Sequence, residues 1–159
     1  MYKTLTAQLE SLSEGITYPV TILSNAAAIL FNSLEDINWA GFYLLNDSGD
    51  DGGTLLLGPF QGKPACMKIP VGKGVCGTAV ARGETILVKD VHEFPGHIAC
   101  DCASNSEIVV PICIEGSIYG VLDIDSPSVG RFSDEDRRGL EEFVSVLERF
   151  LAPISEKIG

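Results

Sequence analysis

The stretch Glu107-Ile-Val-Val-Pro-Ile-Cys-Ile-Glu-Gly-Ser-Ile-Tyr-Gly-Val-Leu-Asp-Ile124 decides the fold. Its two halves, Glu107–Glu115 and Ser117–Ile124, are short runs rich in β-branched residues, and Glu115-Gly116 is typical of a two-residue β-hairpin turn. The pattern predicts an antiparallel pair of strands in which residue 107 lies roughly opposite residue 124.

Other periodic segments extend outward from this hairpin. Strand-like runs, broken by Gly, Pro, Asp and Asn, are Asn38–Leu45, Thr54–Leu57, Met67–Val71 and Thr85–Lys89. Apolar residues at helical spacing are Leu5, Leu9 and Leu12, then Val20, Leu23, Ala27, Leu30 and Leu34, and finally Leu140, Phe143, Val144, Leu147, Phe150, Leu151 and Ile154. Pro19 is expected near the start of the second helix, and Ser133 is the candidate N-cap of the last.

These segments predict one α+β domain over residues 1–159. We expect N-terminal helices in 1–35, a sheet with pocket loops in 37–132 and a C-terminal helix in 133–158. The sheet is expected to be an antiparallel meander of about six strands. The terminal helices would cover one face, and the loops of a ligand pocket would cover the other.

The composition excludes several classes of function. The chain is 45% hydrophobic with a formal net charge of −11, so it lacks the basic face that binding to nucleic acid or an anionic membrane requires. No segment approaches the ~20 apolar residues of a membrane span. The five cysteines, an odd number, and a start without a signal-peptide pattern predict a cytoplasmic protein with reduced or cycling thiols.

Three cysteines, Cys66, Cys76 and Cys100, lie in separate loops rich in glycine or histidine, where a thiol can face a ligand. Cys76 follows Gly72-Lys-Gly at the start of a helix-like run, and a helix N-terminus favours a thiolate or a bound carboxylate. A simple tight turn is the alternative interpretation. Cys113, within an apolar run, is interpreted as a small buried hydrophobe.

A metal cluster is a further interpretation of one loop. His92, His97, Cys100 and Cys102 are close in sequence, but this Cys-x-Cys spacing fits zinc poorly. We therefore predict no metal site. His97 either braces this turn or acts as a base beside Cys100.

Three carboxylates are expected at one edge of the sheet. Asp123 and Asp125 share a parity and lie on one face, and the hairpin brings Glu107 beside them. Such acids repel one another unless a proton or a cation, such as an ammonium group, is present. A solvated strand end is the alternative. Trp39 and Tyr43 flank Gly41 with the same parity, which predicts either an aromatic wall with a small gap or ordinary core.

Six stretches together resemble the free methionine-(R)-sulfoxide reductases, which are built on a GAF domain, and the match runs from about Ile37 to Phe132. The stretches are Ile37-Asn-Trp-Ala-Gly-Phe-Tyr-Leu, Leu57-Gly-Pro-Phe-Gln-Gly-Lys-Pro-Ala-Cys66, Gly72-Lys-Gly-Val-Cys-Gly-Thr-Ala, Val91-His-Glu-Phe-Pro-Gly-His-Ile-Ala-Cys-Asp101, Ser106-Glu-Ile-Val-Val-Pro-Ile112 and Gly120-Val-Leu-Asp-Ile-Asp-Ser-Pro127. Cys102 and Cys113 fall outside the family pattern.

The resemblance implies a reductase that acts on free L-methionine-(R)-sulfoxide without a bound cofactor. It implies that Cys100 is the nucleophile, Cys76 the main resolving thiol and Cys66 a second one. The sulfenic acid on Cys100 would become an intramolecular disulfide, which thioredoxin and NADPH would reduce.

By the same resemblance, Glu107, Asp123 and Asp125 would bind substrate and assist proton transfer, and Trp39 and Tyr43 would line the pocket for the sulfoxide methyl group. The implied setting is oxidative stress, and the implied assembly is a homodimer through the terminal helices. A GAF module that senses a small ligand, or the redox state, without turnover is the alternative function.

Overall fold

The computed structural model describes residues 1–47, 52–96 and 104–158, with side chains to residue 154. The elements within these ranges are α1 (Tyr2–Ser13), α2 (Pro19–Ser33), β1 (Trp39–Asn46), β2 (Thr54–Gly62), β3 (Lys68–Pro70), α3 (Gly74–Arg82), β4 (Ile86–Val88), a 3₁₀ helix (Val91–Glu93), β5 (Ser106–Ile114), β6 (Ser117–Ser126) and α4 (Asp134–Ile158). The predicted α+β class is confirmed. In the described ranges, no helix is both long and apolar enough to span a bilayer.

The strands form one antiparallel sheet in the order β3-β2-β1-β6-β5-β4. The simple meander that we expected is wrong at the centre of the sheet. In a meander β1 would pair only with β2 and lie at an edge, but here β1 also pairs with β6. β1 and β6 are largely buried strands. Placing them side by side in the middle of the sheet gives their backbone N–H and C=O groups partners on both edges.

The β5–β6 hairpin differs from its prediction by one position. Glu107 pairs with Asp125, rather than with residue 124, because the register shifts between Ile112 and Cys113. Cys113 pairs with Ile118 and Ile112 with Gly120, so one residue of β6 is bulged out. The bulge moves Glu107 directly opposite an aspartate that lies on the same face of the sheet.

The terminal helices cover one face of the sheet, as predicted: α2 and α4 pack on the strands, and α1 packs against α2 and α4. The buried residues of this core include Leu9, Leu23, Leu30, Ala40, Phe42, Ile108, Leu122, Ile124, Leu140, Phe143 and Leu147. Two residues of the predicted helical stripes, Leu12 and Val20, are exposed instead. Their side chains do not belong to this core.

Polar contacts hold the helix ends. Pro19 occupies the first turn of α2, as its sequence position predicts. Ser133 caps α4 reciprocally: its Oγ accepts from Asp136 N at 3.3 Å, and Asp136 Oδ2 accepts from Ser133 N at 2.9 Å. The Tyr2 hydroxyl donates to Asp136 Oδ1 at 2.6 Å, which ties α1 to the start of α4.

Candidate functional site

The face of the sheet that points away from the terminal helices carries a second apolar cluster, which α3 covers. Its buried members include Trp39, Tyr43, Leu55, Ile69, Val75, Cys76, Ala79, Val88, Val91, Val109 and Val121. α3 and the segments beside it therefore cover the face of the sheet opposite the terminal helices. This arrangement brings together five predicted site residues: Trp39, Tyr43, Cys76, Glu107 and Asp123 are all buried here.

One side of this region is an aromatic wall, which we define as Trp39, Tyr43 and Phe60. The Trp39 ring stacks on Tyr43 at 5.9 Å between centroids and on Phe60 at 5.2 Å. The small gap predicted at Gly41 is filled by Phe60, because a Cβ added at Gly41 would lie 2.2 Å from Phe60 Cβ. Sequence reasoning missed Phe60, since the predicted second strand ended before it. The only sequence signal was its position in the motif that leads to Cys66.

The aromatic wall also anchors the loop that carries Cys66. Trp39 Nε1 donates to the carbonyl of Lys63 at 3.0 Å, and the Tyr43 hydroxyl donates to the carbonyl of Cys66 at 2.8 Å. Two side chains of β1 therefore hold two carbonyls of the segment between β2 and β3. The wall and the position of this cysteine are structurally linked.

Beside the wall lies an acid–thiol cluster, which we define as Cys76, Glu107 and Asp123. One ligand atom from each of these side chains lies within 4.8 Å of the other two. The exposed fractions are 3% for Cys76, 8% for Glu107 and 5% for Asp123. The thiol comes from the first turn of α3, and the carboxylates come from β5 and β6.

Burial and mutual repulsion favour the protonated forms of the acids in this cluster. Burial, followed by the charges of Asp123 and Asp125, raises the pKa of Glu107 well above its usual range. Burial also raises the pKa of Asp123, although hydrogen bonds from Glu107 and Cys76 oppose this shift. We therefore assign the shared proton to Glu107, with Asp123 as the acceptor.

The pKa of the Cys76 thiol is raised for the same reasons. The helix N-terminus was expected to favour a thiolate, but burial and then the charges of Asp123 and Glu107 raise the pKa of Cys76 well above its ordinary value. The protonated thiol donates a hydrogen bond to Asp123. The expectation was wrong because the neighbouring carboxylates and the loss of water outweigh the dipole of one short helix.

Asp123 and Asp125 lie on the same face of β6, as predicted. Asp123 pairs with Gly41 of β1 and Asp125 with Trp39, which places both carboxylates against the aromatic wall. Asp125 is half-buried. Asp123 Oδ1 is buried and has no hydrogen-bond partner among the described residues. A buried carboxylate oxygen without a donor is expected to receive one from a ligand.

The described cysteines differ in state. Cys66 is disulfide-bonded and half-buried, whereas Cys76 and Cys113 are free thiols. Cys113 is exposed, so its interpretation as a buried hydrophobe was wrong. Its side chain lies on the opposite side of β5 from the buried Ile112 and Ile114.

The remaining predicted residues of the Cys100 loop lie outside the described ranges. They are His97, Cys100 and Cys102, and their assigned roles stay predictions. Of the four residues in the alternative metal cluster, only His92 is described. It is exposed, and its Nδ1 lies 3.0 Å from Asp90 Oδ1.

The GAF domain family matches this chain over residues 21–152. The free methionine-R-sulfoxide reductase of Escherichia coli (strain K12) is 54% identical over 156 residues, which covers 98% of this chain and 92% of that protein.

Solved structures agree with the sequence comparison. The free methionine-R-sulfoxide reductase from Neisseria meningitidis, in complex with its substrate, superposes with a TM-score of 0.91 at 42% identity, covering 98% of this chain and 91% of that one. The structure of fRMsr of Staphylococcus aureus, also in complex with substrate, has a TM-score of 0.88 at 52% identity and covers 95% of each chain.

Proposed function

Because this chain belongs to the free methionine-R-sulfoxide reductases, within the GAF domain family, we propose that it reduces free L-methionine-(R)-sulfoxide to L-methionine. The acid–thiol cluster, buried against the aromatic wall, is the observation that carries this proposal. A sulfoxide reductase needs a proton donor next to an apolar surface, and this region supplies both.

Charge complementarity supports a free amino acid as the substrate. Asp123 has a buried oxygen without a donor among the described residues, and Asp125 lies on the same face of β6. An ammonium group would supply the missing donor and reduce the repulsion between the acids. A peptide-bound methionine sulfoxide has a neutral amide there instead. We assign the substrate carboxylate to the N-terminus of α3 and the methyl group to the wall of Trp39 and Tyr43.

Glu107 is the proposed general acid. A carboxyl group can protonate the sulfoxide oxygen near neutral pH only if its pKa is raised, and burial with two neighbouring aspartates raises the pKa of Glu107. The thiolate of Cys100 attacks the sulfoxide sulfur while this proton is delivered. Oxygen passes to Cys100, which becomes a sulfenic acid, and methionine leaves with its sulfur reduced.

The resolving thiol then condenses with the sulfenic acid, forming a disulfide and releasing water. The family resemblance implied Cys76 as the main resolving thiol. Two observations favour Cys66 instead: it is already disulfide-bonded, and Cys76 is a buried, protonated thiol that donates to Asp123. We therefore propose that Cys66 resolves first and that Cys76 contributes mainly through its hydrogen bond, or later by disulfide exchange.

A dithiol protein must return the enzyme to its reduced state, and we propose thioredoxin with NADPH for this step, without a bound cofactor. This chemistry fits a cytoplasmic role under oxidative stress. We also propose a homodimer through the terminal helices, where Leu12, Tyr18 and Val20 are exposed. Light scattering of the reduced protein after gel filtration tests the dimer, and a monomer mass contradicts it.

The decisive experiment measures NADPH consumption with thioredoxin and thioredoxin reductase. Free methionine-R-sulfoxide should be reduced. The kcat/KM values for its S epimer and for the N-acetylated R compound should be lower by about 100-fold or more. Cys100→Ser should lower kcat/KM by about 1000-fold. Cys113→Ser, which alters an exposed thiol at the bulge, is the matched control and should leave turnover unchanged.

Two outcomes would count against the proposal. Equal rates with the free and N-acetylated substrates would contradict the proposal that the enzyme recognises the substrate ammonium group. Absence of turnover on every sulfoxide, with the reducing system competent on a control, would favour a GAF module that senses a ligand or the redox state.

A further inference from the structure

The acid–thiol cluster has the composition of a metal site as well as that of a substrate site. Its sulfur atom and two carboxylate oxygens lie within 4.8 Å of one another, and all three residues are buried. Within the described residues, no ion pair reaches any of the three side chains. Two buried carboxyl groups next to a thiol attract any cation that can enter.

A separate observation points to a ligand at this position. Asp123 is 5% exposed, and its Oδ1 atom has no hydrogen-bond partner in the described part of the chain. A buried carboxylate oxygen that accepts no hydrogen bond keeps its lone pairs available to coordinate a cation. The same oxygen is offered to the substrate ammonium in the proposed function, so a cation and the substrate would compete for it.

The donor set selects the kind of cation. Carboxylate oxygens alone suit Mg²⁺ or Ca²⁺, but a thiolate selects softer ions such as Zn²⁺, Co²⁺ and Cd²⁺. Zinc binds cysteine sulfur at about 2.3 Å and carboxylate oxygen at about 2.0–2.2 Å. Ligand atoms around such an ion are about 3.5 Å apart. The three ligand atoms of the acid–thiol cluster lie within 4.8 Å of one another, a limit that includes this separation.

We propose that Cys76, Glu107 and Asp123 form a site for a thiophilic divalent cation, with Zn²⁺ as the physiological occupant, and that this cation excludes the substrate. Three protein ligands leave a fourth position for water or for the nearby Asp125. Cation binding displaces the thiol proton of Cys76 and the proton shared by Glu107 and Asp123, and both protons leave to solvent. Reversible zinc binding would then switch off the reductase without oxidising any thiol. The exclusion of substrate rests on the proposed function, whereas the metal site itself does not.

Cobalt titration of the full-length, reduced protein under anaerobic conditions tests the site. One equivalent of Co²⁺ should produce a thiolate-to-cobalt charge-transfer band, which Zn²⁺ should remove and Mg²⁺ should not. Cys76→Ser should abolish the band, and Asp123→Asn should weaken Co²⁺ binding about tenfold or more. The control variant Cys113→Ser should keep the band at full strength.

Each contrary result overturns a defined part of the proposal. Absence of a band with millimolar Co²⁺, or a band that survives in folded Cys76→Ser, rules out this site. If Cys76→Ser does not fold by circular dichroism, an unchanged Co²⁺ affinity in Asp123→Asn rules it out instead.

Competition is measured in Cys100→Ser, which should bind sulfoxide without reducing it. Free methionine-R-sulfoxide should lower the apparent Co²⁺ affinity of this variant about tenfold at saturation. Calorimetry of the same variant with sulfoxide alone separates the two hypotheses. Sulfoxide binding without competition overturns the exclusion by metal, whereas absence of sulfoxide binding contradicts the proposed function and leaves the Co²⁺ titration to decide the metal site.

Discussion

Replacing Gly41 with alanine should displace the aromatic wall. Gly41 lies on β1 where β2 crosses closest to it, and the new Cβ would lie 2.2 Å from Phe60 Cβ, 2.8 Å from Phe60 Cα and 2.9 Å from Trp39 Cη2. Phe60 Cα belongs to the β2 backbone and Phe60 Cβ is bonded to it, so no rotamer change of Phe60 relieves these two contacts. The two strands must separate at this point, and the Trp39 ring must also shift within its stack.

The expected magnitude follows from these distances. Ordinary van der Waals contact begins at 3.4 Å, so Phe60 Cβ has to move by about 1.2 Å. Overpacking of this kind lowers the free energy of unfolding by about 2–3 kcal/mol, at the upper part of the usual range. For a domain of this size the melting temperature should fall by about 4–12 °C. Because Trp39 carries the proposed substrate wall, KM for the sulfoxide should rise about tenfold as well.

Thermal unfolding by circular dichroism measures the first effect, and initial rates with free methionine-R-sulfoxide measure the second. Gly58→Ala is the matched control on the same strand pair, since its Cβ would meet the Phe42 carbonyl oxygen at 3.1 Å and Leu44 Cγ at 3.3 Å. It should destabilise by less than about 1 kcal/mol. A Gly41→Ala melting temperature within about 1 °C of wild type, or equal to that of Gly58→Ala, would refute the reasoning.

Other variants test the remaining contacts. Tyr43→Phe removes the 2.8 Å hydrogen bond to the Cys66 carbonyl and should lower the free energy of unfolding by about 1 kcal/mol in urea titrations; an unchanged midpoint contradicts this. Asp123→Asn should raise the melting temperature at pH 7 and flatten its decline from about pH 4 upward, because a raised pKa makes the folded state less stable as the acid ionises; an unaltered pH profile excludes this origin. Tyr2→Phe should lower the free energy of unfolding by about 1 kcal/mol at pH 7 and by less near pH 3. Burial alone would raise the pKa of Asp136, but hydrogen bonds from Tyr2 and Ser133 lower it, so this stability is lost as pH falls; equal losses at both pH values contradict that assignment.

Some errors of the sequence-based fold arose from single residues. The periods of strands and helices predicted every described strand and most of the buried stripes of α1, α2 and α4, with Leu12 and Val20 as the exceptions. The bulge next to Cys113 was not predictable, because it depends on how β6 fits between β5 and β1. That bulge moves Glu107 opposite Asp125, which a regular hairpin does not do.

The candidate site divides in the same way. The parity of Asp123 and Asp125 could be read from β6 alone, and so could that of Trp39 and Tyr43 from β1. Phe60 could not be found, because its place in the wall depends on the absence of a side chain at Gly41 on another strand.

What the sequence by itself determined is which side chains share a face, because strand and helix periods are local properties of the backbone. It also determined the set of thiols and acids from which a reductase can be built. Only the tertiary structure decided their protonation. The thiol on α3, the acid on β5 and the acid on β6 come from distant segments, and their pKa values depend on the water they lose and the charges they meet when these segments pack together.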